Sequence, residues 1–379
     1  MGSQYDVVVV GVGGMGSAAV FHAARRGARV LGLEQFDIPH DLGSSHGLSR
    51  IIRLAYWEHL SYVPLLRRAY ELWRDLERLA GETLLVVTGS IDAGEPGSRP
   101  IRGVLAACER FELHHEALDA SALGRKFPGY RLPANLVGIF QPDGGFLLSE
   151  RAIVAHASEA ARRGAAIHTG ERVLGWDVRP DHIVVHTDRS MYTCRRLVVT
   201  AGPWAGKAVP ALAPLVSVER QVVLWVRPRV PELFQPDRFP VFYLHGDEGS
   251  FYGVPQYGDR GVKIGKYHHR RQVVDPDGVD RVCSDEDEAL LRRALARYFP
   301  DANGPTVALE TCLFTNTADE HFIIDALPDE TGVFIAAGFS GHGYKFCSVV
   351  GEILVDLALD GQTRHDISLF ALDRLSQNP

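Results

Sequence analysis

The chain has 379 residues, of which 46% are hydrophobic and 23% charged, a composition typical of a folded globular protein rather than a disordered one. Its formal net charge of -7 excludes an overall basic nucleic-acid-binding protein, and no run of 18 apolar residues predicts a membrane span. Five cysteines without a CxxC pair argue against a disulfide framework, and the N-terminus lacks the basic region of a signal peptide. We therefore expect a cytoplasmic protein without a membrane or nucleic-acid partner.

The N-terminal segment has the pattern of a dinucleotide-binding strand, turn and helix. Residues 6–10 (DVVVV) predict a buried strand, a turn with Gly11, Gly13 and Gly16 follows, and a helix and a second strand lead to Glu34. Glycines in such a turn allow the backbone to approach a pyrophosphate, whose charge the helix N-terminus stabilises, and the acidic residue accepts a hydrogen bond from a ribose hydroxyl. The pattern does not separate NAD from FAD.

The remaining chain alternates between helical and strand-like stretches. Periodic apolar residues predict helices near 63–80 and 150–163, and the apolar run before Gly202 predicts a buried strand that ends in a glycine turn. Residues 215–315 are rich in β-branched and aromatic residues, which is typical of a large sheet. At the end, a strand, the turn SGHG at 340–343 and an amphipathic helix return to α/β character.

The chain is long enough for two domains, and its βαβ pieces are separated by strand-rich stretches. We therefore predict an α/β fold in which a Rossmann-type domain is interleaved with a second, α+β domain built on a large mixed β-sheet. The predicted segments are 1–85, 149–214 and 318–379 for the first domain, and 86–148 and 215–317 for the second.

Four further stretches stand in a characteristic order. They are GSSHGLSRIIRLAY at 43–56, LVVTAGPW at 197–204, ETCLFTNTADEHFIID at 310–325 and AAGFSGHGYKF at 336–346. With the N-terminal fingerprint, they make the chain similar, from end to end, to the monomeric sarcosine oxidase family. That family consists of covalent flavin amine oxidases and has N-methyltryptophan oxidases and L-pipecolate oxidases as relatives.

The resemblance implies an FAD cofactor that is attached covalently through Cys312. It also implies that Arg50 lies against the flavin ring and that Lys263 lies on the ring face opposite the substrate, where its charge assists the reduction of oxygen. The neighbouring Lys266 leaves the second assignment open. A lone thiol such as Cys312 becomes reactive only in an electropositive and accessible environment.

For the substrate, the resemblance implies a carboxylate clamp made by Arg53 and Lys345, because a planar guanidinium and a buried ammonium suit a carboxylate. Arg50 and Arg53 lie three residues apart and would share one side of the segment if it were helical. Tyr252 is expected to line the pocket, which holds no obvious carboxylate base.

Two positions leave the active site open. His268 and His269 both compete for the active-site histidine of the family, and we favour His268. The family commonly has tyrosine where this chain has Phe314, and this difference leaves room for bulkier or cyclic secondary amino acids. No metal site is expected, because the spacing of His46 and His342 fits no compact set of ligands.

The predicted site residues fall into three sets. The catalytic set is Lys263, Arg50, Tyr252 and His268, and the substrate set is Arg53, Lys345, Tyr252 and Phe314. The cofactor set is Gly11, Gly13, Met15, Gly16, Glu34, Ser44, Arg50, Val173, Ala201, Gly202, Trp204, Cys312, Gly341, Gly343, Tyr344 and Lys345.

The resemblance implies a monomeric oxidase that converts a secondary amino acid to an imine, while oxygen is reduced to hydrogen peroxide. Sarcosine would give glycine and formaldehyde. The alternatives within the class are an oxidase of cyclic imino acids such as L-pipecolate or L-proline, and an N-methyl-L-tryptophan oxidase. An NAD-dependent dehydrogenase and a flavin-binding protein without activity are the alternatives from other classes.

Overall fold

The computed structural model describes residues 4–375, so the outermost ends of the first and last predicted domain segments lie outside the described residues. Its helices are α1 Gly14–Arg25, α2 Tyr62–Ala80, α3 Arg99–Arg110, α4 Ala120–Lys126, α5 Ser149–Arg162, α6 Ala205–Ala208, α7 Asp285–Tyr298 and α8 Cys347–Asp360.

The strands are β1 Tyr5–Val10, β2 Val30–Leu33, β3 Ser49–Ile52, β4 Leu85–Val87, β5 Ser90–Gly94, β6 Glu116–Asp119, β7 Val137–Gln141, β8 Gly145–Leu148, β9 Ala166–His168, β10 Val173–Val178, β11 Ile183–Thr187, β12 Met191–Val199, β13 Ser217–Val226, β14 Val241–Gly246, β15 Gly249–Val254, β16 Val262–Lys266, β17 Gln272–Val273, β18 Thr306–Asn316, β19 Ile323–Ala326 and β20 Val333–Ala337.

The first sheet has eight strands and a parallel centre. Its order is β10-β11-β12-β1-β2-β9, with β20 parallel to β12 and β19 at the edge of β20. The valines of β1 are buried on both faces of the sheet: Val7 and Val9 share an apolar core with α1, which contacts α5 and α8, and Val8 and Val10 belong to a second core. Parallel strands that are connected by helices are the Rossmann-type arrangement that the N-terminal pattern predicts.

The second sheet has nine strands in the order β17-β13-β16-β15-β14-β5-β7-β6, with β18 also paired to β13. Side chains alternate between its two faces. Leu224, Phe242 and Ile264 point into an apolar core, which α7 helps to form. Lys263 and Cys312 lie on the opposite face of the sheet. The alternation of side chains along each strand therefore places them away from the apolar core.

A small sheet of β3, β8 and β4 completes the fold. Strand β3 carries Arg50, so the segment is not helical and the condition under which Arg50 and Arg53 would share one side of a helix is not met. Arg53 follows the end of the strand and turns to different partners, as described below.

The α/β fold class with a second mixed sheet is confirmed. The first sheet draws its strands from 5–33, 166–199 and 323–337, and the second from 90–141 and 217–316. The division into two domains stays a prediction. Among residues 4–375, none of the helices combines the length and the hydrophobicity that crossing a membrane requires.

Candidate active site

A cavity of about 290 Å3 opens at the carboxyl ends of β1, β2 and β12, where the glycine turn lies. Gly11 has φ +83, and a Cβ there would lie 2.6 Å from the carbonyl oxygen of Thr200. A Cβ on Gly16 would collide with the carbonyl oxygen of Gly11, whereas a Cβ on Gly13 would meet nothing within 4 Å. Gly11 and Gly16 therefore shape the turn, and the space beside Gly13 allows a ligand to approach the backbone.

Glu34 closes the turn from the end of β2. It is 4% exposed, and its two carboxylate oxygens accept hydrogen bonds from the backbone N–H groups of Val12 at 2.8 Å and Phe36 at 3.0 Å. Each carboxylate oxygen has a second lone pair, so Glu34 retains the capacity to accept from a ribose hydroxyl. The N-terminus of α1 faces the same space and favours a negative charge there.

Most of the predicted cofactor residues line this cavity. Thr315 also lines the cavity, and its Oγ1 is buried and makes no hydrogen bond within the protein. The wall also contains Glu171, Trp176 and Thr200, which the sequence analysis did not single out. The predicted residues on the wall are Gly11, Gly13, Met15, Glu34, Ser44, Arg50, Val173, Ala201, Gly202, Trp204, Gly341, Gly343 and Tyr344.

Three predicted cofactor residues do not line the first cavity. Gly16 is packed inside the turn, and Cys312 and Lys345 lie on a second cavity of about 90 Å3. The two cavities share the walls formed by Arg50, Phe314, Gly341 and Tyr344, so they adjoin at this point. The second cavity is further lined by Ile51, Arg53, Glu58, Val223, Tyr243, Tyr252, Val254, Lys263, Tyr267, His342 and others.

Cys312 lies where the two cavities meet. It is 5% exposed, and Nη2 of Arg50 lies 3.5 Å from its Sγ atom. The Arg50 guanidinium is held by the carbonyl oxygens of Ser44 at 2.7 Å and Ser49 at 2.8 Å. The fixed guanidinium therefore places a positive charge beside the Cys312 thiol.

Lys263 reaches the same region from β16. Its Nζ donates to the carbonyl oxygens of Gly47 at 2.8 Å and Ser49 at 2.9 Å, and it lies 5.1 Å from the ring centre of Trp225. Burial, and then the charge of Arg50, lower the pKa of Lys263 well below its usual range. Lys266 stands on the opposite face of the strand and is not on either cavity, so the structure places only Lys263 at the site.

Arg53 and Lys345, which we call the clamp, form one side of the second cavity. Arg53 is 4% exposed and donates to the carbonyl oxygen of Ala55 at 2.5 Å and to Oε1 of Glu58 at 3.1 Å. Lys345 donates to the carbonyl oxygen of His342 at 2.6 Å. Burial, and then Arg53, lower the pKa of Lys345 to about 7, while Glu58 opposes the shift. The site therefore presents two buried cations to a carboxylate.

Glu58 is the residue that the sequence analysis missed. Its carboxylate lines the cavity and is paired with Arg53, so the expectation that the pocket has no carboxylate base stays a prediction. Glu58 lies in the loop between β3 and α2, where no periodicity shows which side chains turn inward. Its nearness to Arg53 in the stretch RLAYWEH is the one available signal.

The structure places neither candidate histidine on the described walls. His268 has φ +54, which turns it off the face of β16, and it hydrogen-bonds Glu219 at 2.7 Å and Glu320 at 2.8 Å. Burial alone would lower its pKa, but these two carboxylates outweigh burial and raise the pKa of His268 to about 9. His269 is buried against Asp287. Tyr267 lines the cavity instead and donates its hydroxyl to the carbonyl oxygen of Ser340.

The remaining wall of the second cavity is aromatic. Tyr252 lies across Gly265, where a Cβ would stand 2.5 Å from the phenol ring, so glycine makes room for the tyrosine. The rings of Phe314 and Tyr267 are 5.6 Å apart between centres. Within residues 4–375 there is no group of three or more histidine, cysteine, aspartate or glutamate residues that could hold a metal ion.

Comparison with known proteins agrees with this geometry. Residues 6–357 match a family described as FAD dependent oxidoreductase. The chain is 40% identical to the monomeric sarcosine oxidase of Streptomyces avermitilis, with 100% of each chain covered. It is 34% identical to the N-methyl-L-tryptophan oxidase of Salmonella dublin, with 99% of this chain and 100% of that chain covered.

Among solved structures, the chain resembles NikD, described as an unusual amino acid oxidase essential for nikkomycin biosynthesis. The TM-score is 0.84 and the identity is 27%, with 97% of each chain covered. A family match over most of the length and relatives above 30% identity agree with the glycine turn, Glu34 and the two adjoining cavities. The chain therefore belongs to the FAD-dependent oxidoreductases and, within them, to the monomeric sarcosine oxidase family.

Proposed function

We propose that the chain oxidises the N-methyl C–N bond of sarcosine and related secondary amino acids to an imine, with reduction of oxygen to hydrogen peroxide. Hydrolysis of the imine from sarcosine gives glycine and formaldehyde. The observation that carries the proposal is the position of the clamp, Arg53 and Lys345, in a small cavity that contains Cys312 and adjoins the dinucleotide cavity at Arg50. The name and near-complete coverage of the relatives at 40% identity support the same reaction.

FAD, the cofactor of this family, supplies the acceptor for a hydride equivalent and the route of two electrons to oxygen. The glycine turn, the N-terminus of α1 and Glu34 would hold its phosphates and ribose. Arg50 would lie against its ring, and Cys312 would carry the ring through a thioether bond. We propose that the two-domain division given above places this cofactor between the first and second sheets.

The residues of the second cavity would bind and orient the substrate. The clamp would hold the carboxylate through the planar edge of Arg53 and the ammonium of Lys345. The rings of Tyr252 and Phe314 would exclude water around the N-methyl group. Lys263 would stand near the bound oxygen, where its N–H groups stabilise a developing negative charge.

The covalent link gives the most direct test. We expect the purified protein to be yellow and, after denaturation and electrophoresis, to show flavin fluorescence on the polypeptide band. Cys312→Ala should lose that fluorescence, because the thioether can no longer form. Cys283→Ala, a thiol next to Thr311 on the neighbouring segment, is the matched control and should keep it. Fluorescence that persists in Cys312→Ala would show that another residue carries the flavin.

A second candidate is an oxidase of larger secondary amino acids, such as L-pipecolate, L-proline or N-methyl-L-tryptophan. Phe314 favours it, because a phenyl ring without a hydroxyl makes the cavity more apolar at this position. Comparison of kcat/KM for sarcosine and these three compounds, followed by peroxide formation, separates the candidates. If no secondary amino acid causes oxygen consumption, the proposed activity is wrong. The same preparation, passed over a sizing column, tests the proposed monomer.

A further inference from the structure

Asp92 is a buried carboxylate behind the clamp that the proposed reaction does not use. It lies in the middle of β5, is 1% exposed and does not line the second cavity. Neither of its oxygens has a hydrogen-bond partner in the protein, and its Oδ1 lies 3.7 Å from Nε of Arg53. A buried carboxylate without hydrogen bonds is costly unless a charge compensates it, and here that charge is the clamp.

The guanidinium of Arg53 thus lies beside two carboxylates, which face different edges of its plane. Its Nη2 atom bonds Glu58, and its Nε edge faces Asp92. The two carboxylates differ in their freedom to move. Glu58 is 13% exposed and belongs to a loop on the cavity, whereas Asp92 is fixed in a central part of the second sheet. The guanidinium also lies 4.6 Å above the ring of Tyr56, which limits its rotation.

The two cations of the clamp are accompanied by two acidic residues, and the four charges balance. Without substrate, Arg53 and Lys345 are balanced by Glu58 and Asp92. A substrate carboxylate that joined all four would leave an uncompensated negative charge in a buried region, which is unfavourable. If the substrate carboxylate replaces Glu58, whose side chain can move toward solvent, the group stays neutral before and after binding.

We propose that Asp92 is a positioning residue, the counter-ion of the clamp at neutral pH, which keeps Arg53 in place and Lys345 charged while the substrate carboxylate replaces Glu58. This inference rests on the proposed function, because it takes the clamp as the carboxylate site. Asp92 touches neither substrate nor cofactor and acts through Arg53 and Lys345.

The proposal can be tested through the pKa of Lys345, which depends on the charges around the clamp. Asp92 is faced by Arg53 and Glu58 from the loop after β3 and by Lys345 from the turn before α8. It is also faced by Cys108 from α3 and by Tyr243, directly across on β14. Burial raises the pKa of Asp92 to about 6, against the opposing charge of Arg53. Burial and Arg53 lower the pKa of Lys345 to about 7, and Glu58 and Asp92 hold it up. Removal of the Asp92 charge must therefore lower the pKa of Lys345 further.

The experiment measures binding of methoxyacetate to the FAD-loaded protein between about pH 5.5 and 9, through the change in flavin absorbance. Methoxyacetate has the shape of sarcosine but an ether oxygen in place of the amine, so it binds without being oxidised. In the wild type, the Kd should rise above about pH 7 as Lys345 loses its proton. In Asp92→Asn, we expect the Kd at pH 7, where wild-type Asp92 is charged, to rise at least about tenfold and the break to move down by about one pH unit.

Asp287→Asn is the matched control. Asp287 also forms a buried pair with an arginine, at 3.1 Å from Nη2 of Arg220, but on the side of the second sheet away from the cavity. It should lower the melting temperature while the Kd and its break stay at the wild-type values. Asp92→Val, which is neutral and suits a buried strand, repeats the test if the amide variant does not fold. Glu58→Gln should bind methoxyacetate more tightly at pH 6, because the competing carboxylate is gone.

Each other outcome contradicts the proposal. If Asp92→Asn has the wild-type Kd and the same pH above which the Kd rises, Asp92 has no influence on the clamp. A higher Kd in Asp92→Asn, with an unchanged pH above which the Kd rises, would mean that Asp92 forms only a structural ion pair. Weaker binding of methoxyacetate by Glu58→Gln would rule out the replacement of Glu58 by the substrate carboxylate. A wild-type protein that binds no methoxyacetate at all would instead overturn the clamp of the proposed function, and this inference with it.

Discussion

At the scale of single residues, the most informative position is Lys263. It is buried, donates to two backbone carbonyls and stands beside Arg50. A lysine in such a place costs free energy through desolvation, and a negative charge that develops nearby recovers part of this cost. Lys266, three residues later, differs only in the face of the strand on which it lies.

We predict that Lys263→Met slows reoxidation of the reduced flavin by oxygen by about 100-fold or more, because an ammonium no longer stabilises the developing charge. Anaerobic reduction by substrate should change far less. Stopped-flow absorbance measures the two half-reactions separately. Lys266→Met is the control and should match the wild type in both, and an equal slowing of both half-reactions by Lys263→Met would contradict the assigned role.

At the scale of elements, the crossing of α1 and α8 holds the first sheet and the glycine turn in register. Gly351 lies in α8 where the two helices meet, and a Cβ there would stand 2.6 Å from the backbone of Ala18 and 2.7 Å from the nitrogen of Ala19. Such close approach requires glycine, although glycine weakens a helix by about 1 kcal/mol relative to alanine. Packing and propensity therefore oppose each other at this residue.

We predict that Gly351→Ala lowers the free energy of unfolding by about 1–3 kcal/mol, because the clash at the crossing exceeds the gain in helix propensity. Chemical denaturation, followed by circular dichroism, measures the change. Gly278→Ala, in a loop where a Cβ would meet nothing within 4 Å, should change stability little. A Gly351→Ala variant more stable than the wild type would show that the helices can separate without cost.

At the scale of the whole molecule, His268 connects distant parts of the chain. It stands after β16 and bridges Glu219 of β13 and Glu320, which lies between β18 and β19. The segment with Glu320 leads from the second sheet into the first. Because the two carboxylates raise the pKa of His268 to about 9, its charge stabilises this junction over the neutral pH range.

The sign of this effect follows from linkage. A histidine whose pKa is higher in the folded state contributes stability that is complete below its unfolded pKa of about 6.5 and is lost as the pH rises through about 9. We predict that His268→Asn is less stable than the wild type by roughly 1–3 kcal/mol at pH 6, and that the difference disappears above pH 9. Melting temperatures across this range measure it.

His186→Asn provides the comparison for this prediction. His186 also pairs with a carboxylate, Asp177, but the two side chains are 37% and 48% exposed, so the pair should contribute little. A difference between His268→Asn and the wild type that stays constant from pH 6 to about 10 would mean that the ion pairs of His268 carry no net stability.

Much of the fold was predictable because its signals are local. The valine run of β1, the spacing of Gly11 and Glu34, and the apolar period of α2 each lie within one short stretch, and the structure has a turn, a strand or a helix at each. Most of the site residues that the resemblance named also line one of the two cavities, because the resemblance rests on whole motifs such as SGHGYK. It did not need to know how distant segments pack.

The sequence by itself determined the dinucleotide turn and the two sheets, since each depends on neighbours along the chain, and the resemblance supplied the thiol and cations proposed for the site. Only the tertiary structure decided that Tyr267 rather than His268 lines the cavity, because a φ of +54 redirects one side chain. It alone decided that Glu58 and Asp92 share Arg53, since Asp92 is far from Arg53 in sequence and Glu58, although near it, lies in a loop where no periodicity shows which side chains turn inward.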